Sequence, residues 1–209
     1  MDDDILVLGI GNLLWADEGF GVRAVEALHA EYRFPERVRL LDGGTQGLNL
    51  LADVKAARRL VIFDAIDFRL SPGTLKVAQD EEVPAWGATK MSLHQSSFQE
   101  VLALAQLSGS YPESIVLIGV QPETLSDFGG SLTESVRARI PEAVAIAIDV
   151  LERWGIVPER RTRAPDADER LNCAAIDIAP YEAGRPSAQS ACRQGDPRVI
   201  GARFAEEQR

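Results

Sequence analysis

Apolar residues in the first three quarters of the chain fall into two alternating patterns. Short unbroken runs at residues 5–10 (ILVLGI), 60–65 (LVIFDA) and 114–120 (SIVLIGV) have the length and composition of strands buried on both faces. A further run at residues 37–42 (RVRLLD) reads as a strand stopped by Gly43-Gly44. Between these runs the spacing is helical. Val25, Leu28 and Tyr32 share one face of a helix over residues 19–32, and residues 48–57 read as a second helix. Phe98, Val101, Leu102 and Ala105 mark a third. Val136, Ile140, Ala143, Ala147, Val150 and Trp154 predict one long final helix. Ser71-Pro72-Gly73 is turn chemistry, and residues 74–77 read as an edge strand after it.

Such strand–helix alternation predicts an α/β fold. The expected form is a three-layer sandwich, with a twisted, mostly parallel sheet flanked by helices on both faces. Ligands of open parallel sheets bind beyond the carboxyl ends of the strands. That rule directs attention to the loops after Ile10, Asp42 and Phe63.

The periodicity lapses after Pro158. Residues 159–209 carry nine Arg and nine acidic residues, no Lys, and four prolines, with little apolar patterning. Residues 1–158 are therefore expected to form the folded domain. Residues 159–209 are expected to be a C-terminal tail, irregular or partly disordered, mobile or draped over that domain.

Composition narrows the partners. Hydrophobic residues make up 45% of the 209, enough for a real core, and the formal net charge is -10. Nucleic acid and anionic membranes both demand a basic face, so neither is expected as a partner. The start, MDDDILVL, is acidic where a secretory signal is basic. The longest uncharged stretch, from Ile5 to Ala16, is too short to span a bilayer. Cys173 and Cys192 form no CxxC pair, which fits a reducing cytoplasm and argues against a disulfide scaffold or a cysteine zinc site.

The candidate chemistry lies in the strand-end loops. Gly9-Ile10-Gly11 after the first strand invites a dinucleotide reading, but the third glycine of G-x-G-x-x-G is Leu14 here. Asp17 and Glu18 have an ordinary explanation as acids at a helix start. Asp17 is the better-shaped cap, which leaves Glu18 free to point into the cleft. Asp64 interrupts an apolar strand at its carboxyl end, either as a loop cap, as an ion-pair partner or as a cleft ligand. His94 lies in a polar stretch just before the third helix, whereas His29 reads as a surface or boundary residue of the first. One imidazole and two carboxylates can hold a borderline divalent ion with positions left open. There is no G-x-S-x-G and no HExxH, and nearby Ser96 or Ser97 fits a helix cap.

Five segments carry a resemblance: residues 5–21 (ILVLGIGNLLWADEGFG), 41–47 (LDGGTQG), 62–66 (IFDAI), 91–95 (MSLHQ) and 118–123 (IGVQPE). Together they resemble the hydrogenase maturation proteases, and their spelling is similar to the branch serving membrane-bound uptake hydrogenases. The resemblance covers about the first 155 residues. It implies a cytoplasmic, monomeric endopeptidase whose catalytic domain is residues 1–158. Its substrate would be the nickel-loaded precursor of the [NiFe]-hydrogenase large subunit, from which it removes a short C-terminal peptide. It also implies Glu18, Asp64 and His94 as ligands for nickel carried by the substrate. In isolation the same ligands are open to a surrogate divalent metal. Asp42 is implied to act in cleavage, with Gly43, Gly44 and Thr45 lining the peptide. Many members of that family end soon after the last helix, so the tail is a departure. Two other readings stay open from the residues alone: a non-catalytic nickel or hydrogenase-binding chaperone, and a dinucleotide-binding oxidoreductase.

Overall fold

The structure, a computed structural model, describes residues 4–85 and 93–187, with side chains for all of these except 84, 85 and 93–97. In chain order the strands are β1 (Ile5–Ile10), β2 (Tyr32–Arg33), β3 (Val38–Gly44), β4 (Arg59–Ala65), β5 (Leu75–Gln79), β6 (Ser114–Val120) and β7 (Glu159–Arg160). The helices are α1 (Phe20–Glu31), α2 (Leu51–Ala56), α3 (Glu82–Ala85), α4 (Leu93–Leu107), α5 (Glu134–Arg137), α6 (Ile140–Arg153) and α7 (Ile178–Ala183). Five strands form the main sheet in the order β3-β1-β4-β6-β5. The first four are parallel, and β5 closes one edge antiparallel to β6.

Alternate residues of each strand feed two cores. Ile5, Val7, Val61, Phe63, Val116 and Ile118 pack with Phe20, Val25 and Leu28 of α1 and with Val144, Ala147 and Leu151 of α6. Leu6, Leu8, Leu60, Ile62, Ile115 and Leu117 pack with Val54 of α2 and with Phe98 and Val101 of α4. The result is the expected three-layer sandwich. A Leu, Ile or Phe fully withdrawn from water contributes on the order of 2 kcal/mol, so these two layers dominate the stability.

Three elements differ from the sequence-based expectation. β3 does not stop at Gly43-Gly44 but runs through both to Gly44. The second helix opens as a 3-10 turn over Gly47–Leu50 before α2. The long final helix is broken between α5 and α6. An Arg139 N–H to Val136 carbonyl bond tightens the turn there, and Pro141, two residues on, has no amide to continue the ladder.

The tail is draped rather than free over residues 159–187. β7 pairs antiparallel with β2. From there the chain runs as a strap along α1, with one 3-10 turn at Ala174–Ile176 and the short α7. Arg161 fastens its start, donating to the carbonyls of His29 and Tyr32 and pairing with Glu169. Arg137 with Glu182 and Arg185 with Asp127 fasten its far end. Residues 188–209, Cys192 among them, lie outside the described residues; Cys173 is an exposed free thiol.

Candidate active site

The carboxyl ends of β3, β1 and β4 are neighbours in the sheet, and each carries one piece of the site. Gly9 of β1 stands opposite Asp42 of β3 on one side and Phe63 of β4 on the other, which brings Asp42 and Asp64 to the same edge. The 3-10 turn Ala16–Gly19 that bears Glu18 packs against β4. Asp64 falls in strand alternation with Leu60 and Ile62, on the face covered by α2 and α4. It is buried, with 5% of its surface exposed, and its Oδ1 accepts the N–H of Ala65 at 2.8 Å.

His94 sits in the first turn of α4, not in a loop before it. Its side chain lies outside the described residues. Chain direction still places the start of α4: residues 108–113 return the chain to the amino end of β6, so α4 runs antiparallel to the strands. Fifteen helical residues and seven strand residues each span about 23 Å. The backbone at His94 is thus at the carboxyl edge, on the face that Asp64 shares. Among the described residues, no group of three or more His, Cys, Asp or Glu converges as a metal site.

The first loop is organised by Asp17, whose role was not foreseen. No side-chain cap is made at either helix start, so Asp17 is not the expected cap. Fully buried, it accepts from the N–H groups of Glu123, Thr124 and Thr133, at 2.9, 2.9 and 2.7 Å, and from the Thr133 hydroxyl. The loop after β1 is thereby tied to the loop after β6, and the neighbouring Glu18 is held half-exposed at the rim. Gln121, also buried, does the same for the loop after β4. Its Oε1 accepts from Phe68 and Leu70, and its Nε2 donates to Asp67. Both carboxamide and carboxylate lie in sequence segments that stood out only as motif letters. Trp15 and Phe128, edge to face at 5.2 Å, and the exposed Leu14 form an apolar lip beside Glu18.

Asp42 is half-buried, and both of its oxygens are engaged. Oδ1 accepts the Gly44 N–H at 2.8 Å, and Oδ2 accepts Nδ2 of Asn172 from the strap at 2.7 Å. Gly44 takes φ 44°, which a side chain resists. Gly43 is different: a Cβ there would stand 2.7 Å from Leu8 Cδ1, so its bareness serves the core and not the approach of a peptide. Thr45 is exposed.

The glycines after β1 leave no cradle for a pyrophosphate. A Cβ on Gly11 would sit 1.8 Å from the Glu18 carbonyl oxygen, and the Gly11 N–H is already bonded to the Gly44 carbonyl. A Cβ on Gly21 would lie 2.2 Å from the carbonyls of both Ile10 and Phe63. These glycines let α1 settle onto β1 and β4, which removes the basis of the dinucleotide reading.

The hydrogenase maturation protease family matches residues 22–150. The chain is 56% identical over 199 residues to the hydrogenase expression/formation protein HoxM of Azotobacter vinelandii, covering 94% of each. It is 54% identical over 200 residues to the hydrogenase expression/formation protein HupD of Thiocapsa roseopersicina, covering 95% of this chain and 90% of that one. Its fold matches the hydrogenase maturating endopeptidase HybD of E. coli with a TM-score of 0.72 and 42% identity, covering 76% of this chain and 98% of that one.

The chain belongs to the hydrogenase maturation protease family. It is accordingly a peptidase, and the chaperone reading gives way. Membership also clarifies the strap. HybD is spanned by about three quarters of this chain, the share that residues 1–158 make up. The HoxM and HupD matches leave about ten residues of this chain uncovered, so most of the tail is shared with them. The tail is thus a departure from the short maturation proteases, not from the longer ones.

Proposed function

We propose that this maturation protease cleaves a short C-terminal peptide from the nickel-loaded precursor of a [NiFe]-hydrogenase large subunit, and that Glu18, Asp64 and His94 read the nickel. The observation that carries the reading is the arrival of β3, β1 and β4 at one edge of the sheet, which brings Asp42, Asp64 and the Glu18 turn to that edge. The names of its relatives supply the substrate class. Two carboxylates and an imidazole are hard-to-borderline donors, suited to supplementing a nickel ion the substrate already holds by thiolates. Only a loaded precursor then has its scissile bond retained in the cleft. The nickel belongs to the substrate and acts as a checkpoint.

Asp42 is the residue assigned to cleavage. Its Oδ1 is fixed by Gly44 and its Oδ2 by Asn172, so the carboxylate is oriented before substrate arrives. Thr45 is exposed beside it and is assigned to line an extended peptide, with Gly43 and Gly44 shaping the turn. The apolar lip of Leu14, Trp15 and Phe128 suits the flanking surface of the precursor. Among the described residues no helix is long and apolar enough to cross a membrane, and we assign the protease to the cytoplasm as a monomer.

Purified precursor, with and without nickel, is incubated with the protease and weighed by mass spectrometry. The loaded precursor is expected to lose its C-terminal peptide and the nickel-free precursor to keep its mass. Equal cleavage of both removes the checkpoint, and cleavage of neither overturns the assigned substrate.

A further inference from the structure

The strap reaches the cleavage carboxylate through Asn172. Its Nδ2 donates to Asp42 Oδ2 at 2.7 Å and to Glu26 Oε1 at 2.8 Å. A carboxylate only accepts, so the amide nitrogen must face both, and both of its protons are used. Glu26 is held in turn by Arg23, whose Nη1 lies 2.8 Å from Glu26 Oε2 and 2.7 Å from the carbonyl of Ile176. The Arg23 side chain is 4% exposed, so this anchor is shielded from solvent. A continuous chain of hydrogen bonds therefore runs from the strap, through α1, back to the strap and on to Asp42.

The strap is pinned on both sides of Asn172. Before it, the His29 Nε2–H donates to the Glu169 carbonyl at 2.6 Å. After it, the Tyr181 hydroxyl donates to the Leu13 carbonyl at 2.8 Å. Asn172 is thus presented by a fixed segment rather than by a loose end. It also separates two carboxylates, Glu26 and Asp42, that both contact a single nitrogen. Without a donor between them, like charges would drive the two carboxylates apart and turn Asp42 aside.

We propose that Asn172 is a positioning residue for Asp42, so that the C-terminal strap completes the active site in this longer form of the protease. The inference rests on the assignment of Asp42 to cleavage. HybD, matched over 98% of its own length, covers 76% of this chain, about the share of residues 1–158 alone. In this chain the orientation of Asp42 thereby comes under the control of a segment outside the sandwich.

The test uses the full 209-residue protein and purified nickel-loaded precursor, comparing Asn172→Leu, Asn172→Asp and Asp42→Asn. Asn172→Leu keeps the size and loses both donors; Asn172→Asp keeps the shape and replaces donation by repulsion. Both are expected to lower kcat by about tenfold or more with KM and Tm nearly unchanged, since misplacing a reacting group costs rate before it costs binding. Asn172→Asp is the slower of the two. Unchanged kcat in both Asn172 variants, with Asp42→Asn inactive, overturns the positioning role and leaves Asp42 in place. A rise in KM at constant kcat also overturns it, by making Asn172 a substrate contact. Faster cleavage overturns it in favour of a strap that obstructs the cleft. Full activity of Asp42→Asn overturns the assignment of Asp42 itself, and this inference with it.

Discussion

The sandwich and the strap are built on opposite principles. The sandwich is held by two apolar layers, in which Phe20, Phe63, Leu8 and Ile118 have no exposed surface. The strap buries no residue fully between 159 and 187, and is held by arginines, carbonyls and carboxylates. Burial is non-directional and cooperative, so it sets the fold. Directional polar contacts contribute less each, but they fix where a particular group points. Stability and orientation of the site are thus supplied by different parts of the chain. The sandwich brings the strand ends together; the strap aims one carboxylate.

That division can be broken by substitution. Phe20→Ala, in the layer under α1, is expected to cost about 4 kcal/mol, read as the shift of a urea unfolding curve. Asp17→Ala comes next. It leaves three part-buried N–H groups without their acceptor and is expected to cost about 2 kcal/mol, with loss of processing as the Glu18 loop is released. A conservative Asp17→Asn should recover part of the stability, because the amide oxygen still accepts. Tyr181→Phe removes only the strap hydroxyl and is expected to cost about 1 kcal/mol or less. Its clearest sign is faster hydrogen exchange confined to residues 159–187, with the sandwich amides unaltered. Uniform acceleration across both regions would mean that the two are not separate.

Acid sharpens the same contrast. Burial of the His29 ring, with the Arg161 guanidinium nearby, outweighs its bond to the Glu169 carbonyl and lowers its pKa below the usual 6.5. The folded protein then binds the proton less readily than the unfolded chain. The stability from neutral His29 is present above pH 6.5 and is lost as pH falls below that value toward the lowered pKa. Glu169 has a pKa held below 4.5, by the Asp166 N–H first and then by Arg33, Arg163 and Arg161, so its contribution fades at still lower pH. Limited proteolysis from pH 7.5 down to 5 is expected to cut the strap increasingly while the sandwich persists. A strap equally resistant at both pH values would remove His29 as an anchor.

Much of the sandwich was legible because its signal is periodic. The run ILVLGI had to be a strand with no polar face, and Val25 and Leu28 had to lie together on a helix. The places where reading failed are places where direction outweighs hydrophobicity. Nothing in the spacing distinguishes Asp17 as a loop clamp from Asp17 as a helix cap, since both place a carboxylate beside backbone N–H groups. The break before α6 is signalled by Pro141, but apolar spacing continues across it and masks it. Asp42 and Asp64 were findable as acids at strand ends. Asn172 was not, because its partners Glu26 and Asp42 lie 146 and 130 residues away and nothing near it in sequence is periodic.

The most direct test of the site as a metal reader is binding rather than turnover. The affinity of the protease for nickel-loaded and nickel-free precursor is compared by calorimetry, for the natural chain and for Glu18→Gln, Asp64→Asn and His94→Ala. The natural chain is expected to favour the loaded form by about tenfold or more, a preference near 1.4 kcal/mol. Each variant should lose that preference while still binding the nickel-free precursor as the natural chain does. Equal affinity of the natural chain for both forms, or a preference that survives in all three variants, would contradict the account.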